Sequence, residues 1–274
     1  MKDRIETIGR IRIRRHGTDG PVVIVLHGGP GAPGSAADLS LGLSDTFRIV
    51  EPWQRESEEC TPLTVAGHVA DLHQVVLNVC DDRPPALVGE SWGAMLALAY
   101  AADYPANAGP IVLIGCGTFD KQSRACCVKT REERIAQHIA KHPEFAADLN
   151  LDLNDKIMKW HDMTDTYKSI PSSFHTDDIV FDRKGHTQTW NDMLRCQEGG
   201  LYPAAFSRIV SPVLMLHGAY DPHPGKMIRD SLRPHIPQLD YRELNKCGHR
   251  PLIEAFVREK FLAVIRDWLT DNYR

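Results

Sequence analysis

Three side chains of this sequence have the types and settings needed to attack a carbonyl. Ser91 sits in Gly89-Glu90-Ser91-Trp92-Gly93, a Gly-x-Ser-x-Gly run placed after the apolar stretch 86–88 and before the helical stretch 93–102. A strand that turns straight into a helix leaves no room beside the serine, so glycines flank it and its hydroxyl projects above the sheet. That hydroxyl is a weak nucleophile; it needs a base to take its proton and a carboxylate to orient the base. Asp221, in His217-Gly218-Ala219-Tyr220-Asp221-Pro222 after the apolar run 213–216, supplies the acid. His249, in Cys247-Gly248-His249 after the run 239–244, supplies the base. The order serine, aspartate, histidine is the one expected where the three groups end different strands of one parallel sheet. Asp120, a few residues beyond the run 111–114, is the competing acid.

An oxyanion formed at the attacked carbonyl needs backbone N–H donors. The amide of Trp92 follows the serine, and a second donor is expected from Gly29 in His27-Gly28-Gly29-Pro30-Gly31, where glycines let the backbone approach a substrate oxygen. His27 itself is read as a hydrogen-bonded structural residue. His138 and His142 stand four apart on a helical stretch, a spacing that suits zinc, but no glutamate lies between them in the metalloprotease pattern and no third ligand is in view. No metal site and no cofactor are expected.

The elements that must position these groups are legible as alternation. Apolar, β-branched runs at 22–26, 47–51, 86–89, 111–114, 213–216 and 239–244 alternate with helical patterns such as 64–79 and 256–269. That order predicts a parallel sheet covered by helices on both faces, and the continuously apolar runs are those of strands buried on both sides. Residues 10–15 alternate arginine with isoleucine, the mark of a strand with one face in water. Between 118 and 205 the strand rhythm stops and charged, helix-favouring segments take over. An insertion between two strands of one sheet is the simplest topology. Core residues 1–117 and 206–274 are therefore expected to carry a helical cap at 118–205, with Trp160, Phe174 and Trp190 as cap core or pocket wall.

Composition narrows the function classes. With 274 residues, 42% of them hydrophobic, the chain is long enough for a large core. Lys plus Arg is 32 against 36 for Asp plus Glu, a net charge of -4, so no global field attracts nucleic acid or an anionic membrane. No apolar run approaches the roughly 18–20 residues that span a bilayer. Seven cysteines without repeated spacing suit a reducing compartment, so a cytoplasmic location is expected; the adjacent Cys126 and Cys127 read as buried or idle thiols.

The elbow, the placement of Asp221 and His249 and the inserted cap resemble the α/β-hydrolase superfamily, over about residues 20–272. The His27 to Gly31 run resembles the motif of its proline iminopeptidase branch. That branch also carries Asp-Gln-Arg-Gly-x-Gly after the next strand; here the stretch is Glu51-Pro52-Trp53-Gln54-Arg55-Glu56-Ser57, which keeps Gln54-Arg55 and lacks the glycines. The resemblance implies an α/β fold, a mostly parallel sheet flanked by helices with an inserted cap, and a cofactor-free serine hydrolase acting on a small-molecule or short-peptide substrate. An aminopeptidase-like amide hydrolase is favoured over a carboxylesterase or lactonase, and a non-catalytic small-molecule receptor on the same fold is the reading from another class. An exopeptidase must neutralise the substrate ammonium, and Glu198, before Gly199-Gly200, is the carboxylate expected to do so.

Overall fold

The computed structural model describes residues 4–58, 61–80, 83–145, 165–170 and 181–273. Cys60, Trp160 and Phe174 lie outside these residues. Among the described residues, eight strands form one sheet: β1 (Arg4–Ile8), β2 (Ile11–His16), β3 (Val22–Leu26), β4 (Arg48–Trp53), β5 (Ala86–Glu90), β6 (Ile111–Ile114), β7 (Val213–Gly218) and β8 (Leu239–Leu244), in the spatial order β1-β2-β4-β3-β5-β6-β7-β8. The first two pairings, β1 with β2 and β2 with β4, are antiparallel. All others are parallel. The expected runs are all strands, and β1 is an addition: Ile5 and Ile8 are its only apolar positions besides alternating charge, and it pairs at the sheet edge with half-exposed β2.

The buried strands are apolar throughout because successive residues feed two different cores. Ile24, Leu26, Leu87, Leu113 and Met215 face one layer with α2 (Val65–Val79), α3 (Trp92–Asp103) and α6 (Gly225–Leu232). Their neighbours Val25, Val88, Val112 and Leu216 face the other, with α1 (Ala37–Leu43) and α7 (Arg258–Asn272). Helix α3 is buried from Trp92 to Ala102. A helix apolar all round belongs in the centre of a layer, and here it runs directly behind Ser91.

Between β6 and β7 the described residues form α4 (Lys121–Lys141) and α5 (Arg183–Glu198), followed by a 3₁₀ turn at Ala204–Arg208. Asp120 caps α4, accepting from Ser123 N at 2.8 Å and from the Ser123 hydroxyl at 2.6 Å. Asp182 caps α5 through Gly185 N at 2.9 Å. Trp190 packs against the core below, and Cys127 is buried beside half-buried Cys126. No helix among the described residues is long and apolar enough to cross a membrane.

Candidate active site

Ser91 occupies the turn between β5 and α3 with φ 53 and ψ -110, a backbone conformation unusual for any residue with a side chain. Two close approaches force the turn. A Cβ on Gly89 would collide with the Gly93 carbonyl, and one on Gly93 would collide with the Leu26 carbonyl of β3. Both flanking glycines are thus required by packing of the elbow against itself and against the neighbouring strand.

Asp221 lies three residues past the end of β7, and His249 follows β8, the adjacent strand. The structure brings them together: His249 Nδ1 donates to Asp221 Oδ2 at 2.8 Å, with the carboxylate fully buried and the imidazole nearly so. That bond fixes the tautomer, leaving Nε2 as the acceptor. Burial alone would push the Asp221 carboxyl up, but His249, His217 and His223 hold it well below the usual carboxylate range. Burial likewise opposes charge on His249, yet the charge and hydrogen bond of Asp221 outweigh it and raise the imidazole above its ordinary 6.5. Asp120, with both oxygens spent on its helix cap, is not in this arrangement.

The oxyanion candidates sit on a shared frame. His27, fully buried, donates from Nδ1 to the Gly28 carbonyl at 2.8 Å and accepts Gln54 N on Nε2 at 3.0 Å. The Gln54 side chain then spans the two halves of the site, donating to the His27 carbonyl at 3.0 Å and accepting the Trp92 indole N–H at 2.7 Å. Gln54 therefore ties the loop of Gly29 to the start of α3. Arg55, its partner in the shared Gln-Arg pair, forms a bidentate ion pair with Asp71 on α2. Among the described residues, the backbone N–H groups of Gly29 and Trp92 have no acceptor, which is the state an oxyanion hole requires.

The insertion clasps both loops of the site. The Asp165 carbonyl accepts His249 N at 2.6 Å, and the Asp165 carboxylate pairs with Arg131 of α4 at 2.9 Å. Glu254, fully buried, accepts Gly248 N, Tyr167 N and Lys168 N, each at 2.7 Å. On the other side, Asp182 N donates to Gly31 O at 2.8 Å, His186 Nδ1 meets Pro30 O at 2.8 Å, and the Asp182 carboxylate takes the Ser57 hydroxyl at 2.8 Å. Ser57 stands in the stretch where the proline iminopeptidase motif has glycines.

Glu198 is the last residue of α5 and is exposed. A glutamate at a helix end before two glycines has no reason to turn inward. The carboxylate beside the nucleophile is Glu90, pushed up by burial to about 7, with His249 and Arg250 nearby. Its position inside the motif is visible in sequence, but its half-buried setting is not. His223, Asp165, Arg131 and Glu254 also carried no motif of their own. Among the described residues, Asp221, His223 and His249 are the group with metal-ligand spacing, their ligand atoms within 4.8 Å of one another; Asp221 already accepts from both imidazoles.

Burial holds His27, His68 and His223 down at about 4. Each takes up a proton near 6.5 in the unfolded chain but only near 4 in the folded one, so its stabilisation is complete above about 6.5 and is lost as pH falls. At pH 5 the loss is about 2 kcal/mol per histidine. His249 acts in the opposite sense: its raised pKa adds stability present below about 6.5 and lost as pH rises through the folded value. Glu90, pushed up to about 7, acts with His249, because the folded chain takes up its proton before the unfolded one does as pH falls. Three groups still outweigh two, and melting at pH 5 is expected below that at pH 7. An equal or higher melting temperature at pH 5 would contradict this account.

Comparison with known proteins agrees with the geometry. A family model for the alpha/beta hydrolase family matches residues 16–259. The proline iminopeptidase of Lactobacillus helveticus (strain DPC 4571) is 25% identical over 296 aligned residues, covering 95% of this chain and 94% of that protein. Among solved structures, a putative lipase from Acinetobacter baumannii AYE is similar with a TM-score of 0.68 and 18% identity, over 98% of this chain and 92% of its own. A thermophilic esterase from Thermogutta terrifontis gives 0.65 and 20% identity over 100% of both chains. With a serine elbow behind β5, an aspartate and histidine ending β7 and β8, and a family match over most of its length, the chain belongs to the alpha/beta hydrolase family.

Proposed function

We propose that this chain is a serine hydrolase in which Ser91, His249 and Asp221 form the triad. The observation that carries this reading is the buried 2.8 Å bond from His249 Nδ1 to Asp221, at the sheet edge where Ser91 is held in the elbow. Ser91 Oγ attacks the substrate carbonyl while His249 Nε2 takes its proton, and Asp221 stabilises the imidazolium. The N–H groups of Gly29 and Trp92 receive the oxyanion. His249 then protonates the leaving group, and water, deprotonated by the same imidazole, releases the acid from the acyl-enzyme. Residues 118–205 act as a cap over the carboxyl edge of the sheet, and the chain works in the cytoplasm on a small molecule or short peptide.

Within acyl hydrolysis, we favour an amide substrate with a free N-terminal amine. The His27 to Gly31 loop and the proline iminopeptidases among its relatives support this. Proline and alanine p-nitroanilides, their N-acetylated forms and p-nitrophenyl esters separate the possibilities. The free amine is expected to be preferred by at least about tenfold in kcat/KM, about 1.4 kcal/mol of transition-state discrimination. If acetylation changes nothing and the esters alone are cleaved, the enzyme is an esterase and the loop resemblance concerns only the oxyanion hole. If the protein binds such molecules without turning them over, the receptor reading replaces both.

A further inference from the structure

Asp221 is shared by three imidazoles rather than one. Its Oδ2 accepts His249 Nδ1 at 2.8 Å and has His217 Nε2 at 3.2 Å, the latter also donating to the His223 carbonyl at 2.9 Å. Its Oδ1 accepts both the backbone N–H of His223 at 2.9 Å and the ring Nδ1 of His223 at 2.8 Å. The His223 ring stacks on the His249 ring, with centroids 4.7 Å apart and planes 30° apart. Its side chain is 12% exposed and the Asp221 carboxylate 0%. Two imidazoles thus lie side by side, each presenting Nδ1 to a different oxygen of one carboxylate. The triad as read from sequence leaves the second unemployed.

We propose that His223 is a positioning residue of the triad, pinning Oδ1 of Asp221 through two donors so that the carboxylate plane is fixed and Oδ2 stays on His249 Nδ1. This rests on the serine-hydrolase reading above. An ionised carboxylate has about four lone-pair sites, and hydrogen bonds at Oδ1 draw off charge that Oδ2 would otherwise present to His249. The stacked ring also keeps water from the His249 imidazolium. Both effects make His249 a weaker base than an aspartate bonded to it alone would make it, which brings it toward working pH, where a general base is most effective. Burial holds the His223 pKa down at about 4, so near neutral pH the ring is uncharged and donates to Asp221 from Nδ1 as a neutral tautomer.

Other charged groups surround His249. Asp165 and Arg131 come from the insertion and neutralise one another, Glu90 ends β5, and Arg250 and Glu254 lie on the loop of His249 itself. Glu90 titrates near 7, so activity alone would mix its proton with that of His249. The test therefore reads His249 directly, by the pH dependence of its imidazole ¹⁵N and ring-proton resonances, beside pH profiles of kcat and KM on a p-nitrophenyl ester.

Removing the ring donor in His223→Val is expected to raise the His249 midpoint by about half a unit or more. It should lower kcat at pH 6.5 by about threefold or more with KM little changed, because less free base is present. His223→Asn, whose side-chain N–H falls near the place of Nδ1, should restore both. His223→Gln, whose donor falls near Nε2, should not. If His223→Val does not fold, the contrast between Asn and Gln carries the test. Equal midpoints and equal kcat across these variants and the wild type, with only melting temperature altered, would overturn the proposal. The resonance titration needs no turnover, so a wild-type protein left unmodified by a fluorophosphonate would count against the serine-hydrolase reading and not against the His223 arrangement.

Discussion

Ser91→Ala is expected to lower kcat by about 10⁶-fold on any substrate the wild-type protein hydrolyses, the scale seen when a triad serine is removed elsewhere. Labelling by a fluorophosphonate probe should vanish with it, since no other serine in the described residues stands in a strained strand-to-helix turn. The fold should survive. Alanine keeps the same backbone and the same strain, worth about 1–3 kcal/mol at such a φ and ψ. Ser91→Gly is equally inactive but releases that strain at an entropic cost of about 1 kcal/mol, so it should melt at or above the alanine variant. Labelling that persists in Ser91→Ala would remove Ser91 from the mechanism. A glycine variant that melts well below the alanine one would remove the strain argument.

The second large effect concerns the acid. Asp221→Asn is expected to cut kcat by about 10⁴-fold, because the amide cannot hold His249 in the tautomer that frees Nε2. The surroundings of Asp221 add a stability cost. His223 N, His223 Nδ1 and His249 Nδ1 donate to the carboxylate, and His217 Nε2, bonded to the His223 carbonyl, lies 3.2 Å from Oδ2. An asparagine amide must set its NH₂ against either the His223 donors or His249, and a buried donor left without an acceptor costs about 1–3 kcal/mol. Asp120→Asn should do little, since asparagine is as good a helix cap as aspartate. A large loss of activity at 120 with near-normal turnover at 221 would reverse the assignment of the acid.

How much of this was legible follows from the range of the interactions involved. The elbow could be read because Gly89 and Gly93 are forced by contacts within a few residues and with one neighbouring strand. Asp221 and His249 could be read because chain order and strand ends place them on the same sheet edge. Strands β3, β6 and β7 announced themselves by being apolar on both faces, whereas β1 has only edge pairing to show for itself. His223 was hidden because a polar residue after Asp-Pro reads as an ordinary turn; only the approach of β8 and its loop reveals the second imidazole. Asp165 reaches the backbone of His249, Glu254 reaches the backbone of Tyr167 and Lys168, and Arg131 pairs with the Asp165 carboxylate, all across dozens of residues that no local pattern encodes. Glu198 is exposed at a helix end, and a charged helix end looks the same in sequence whether it faces water or substrate.

The two-sided clasp of the site bears on how new specificities arise in such a chain. Residues 165–168 hold the backbone of the base loop, and residues 182–186 hold the loop of the oxyanion donors, so the insertion is not a detachable module laid over a finished catalyst. A chimera that imported the whole of 118–205 from a relative would loosen both of these loops at once. Its failure would then be misread as a wrong substrate. Grafts that keep 165–170 and 181–186 and replace what lies between and beside them separate the two inheritances. On the proposed serine-hydrolase reading, a change at these fixed points is answerable to turnover.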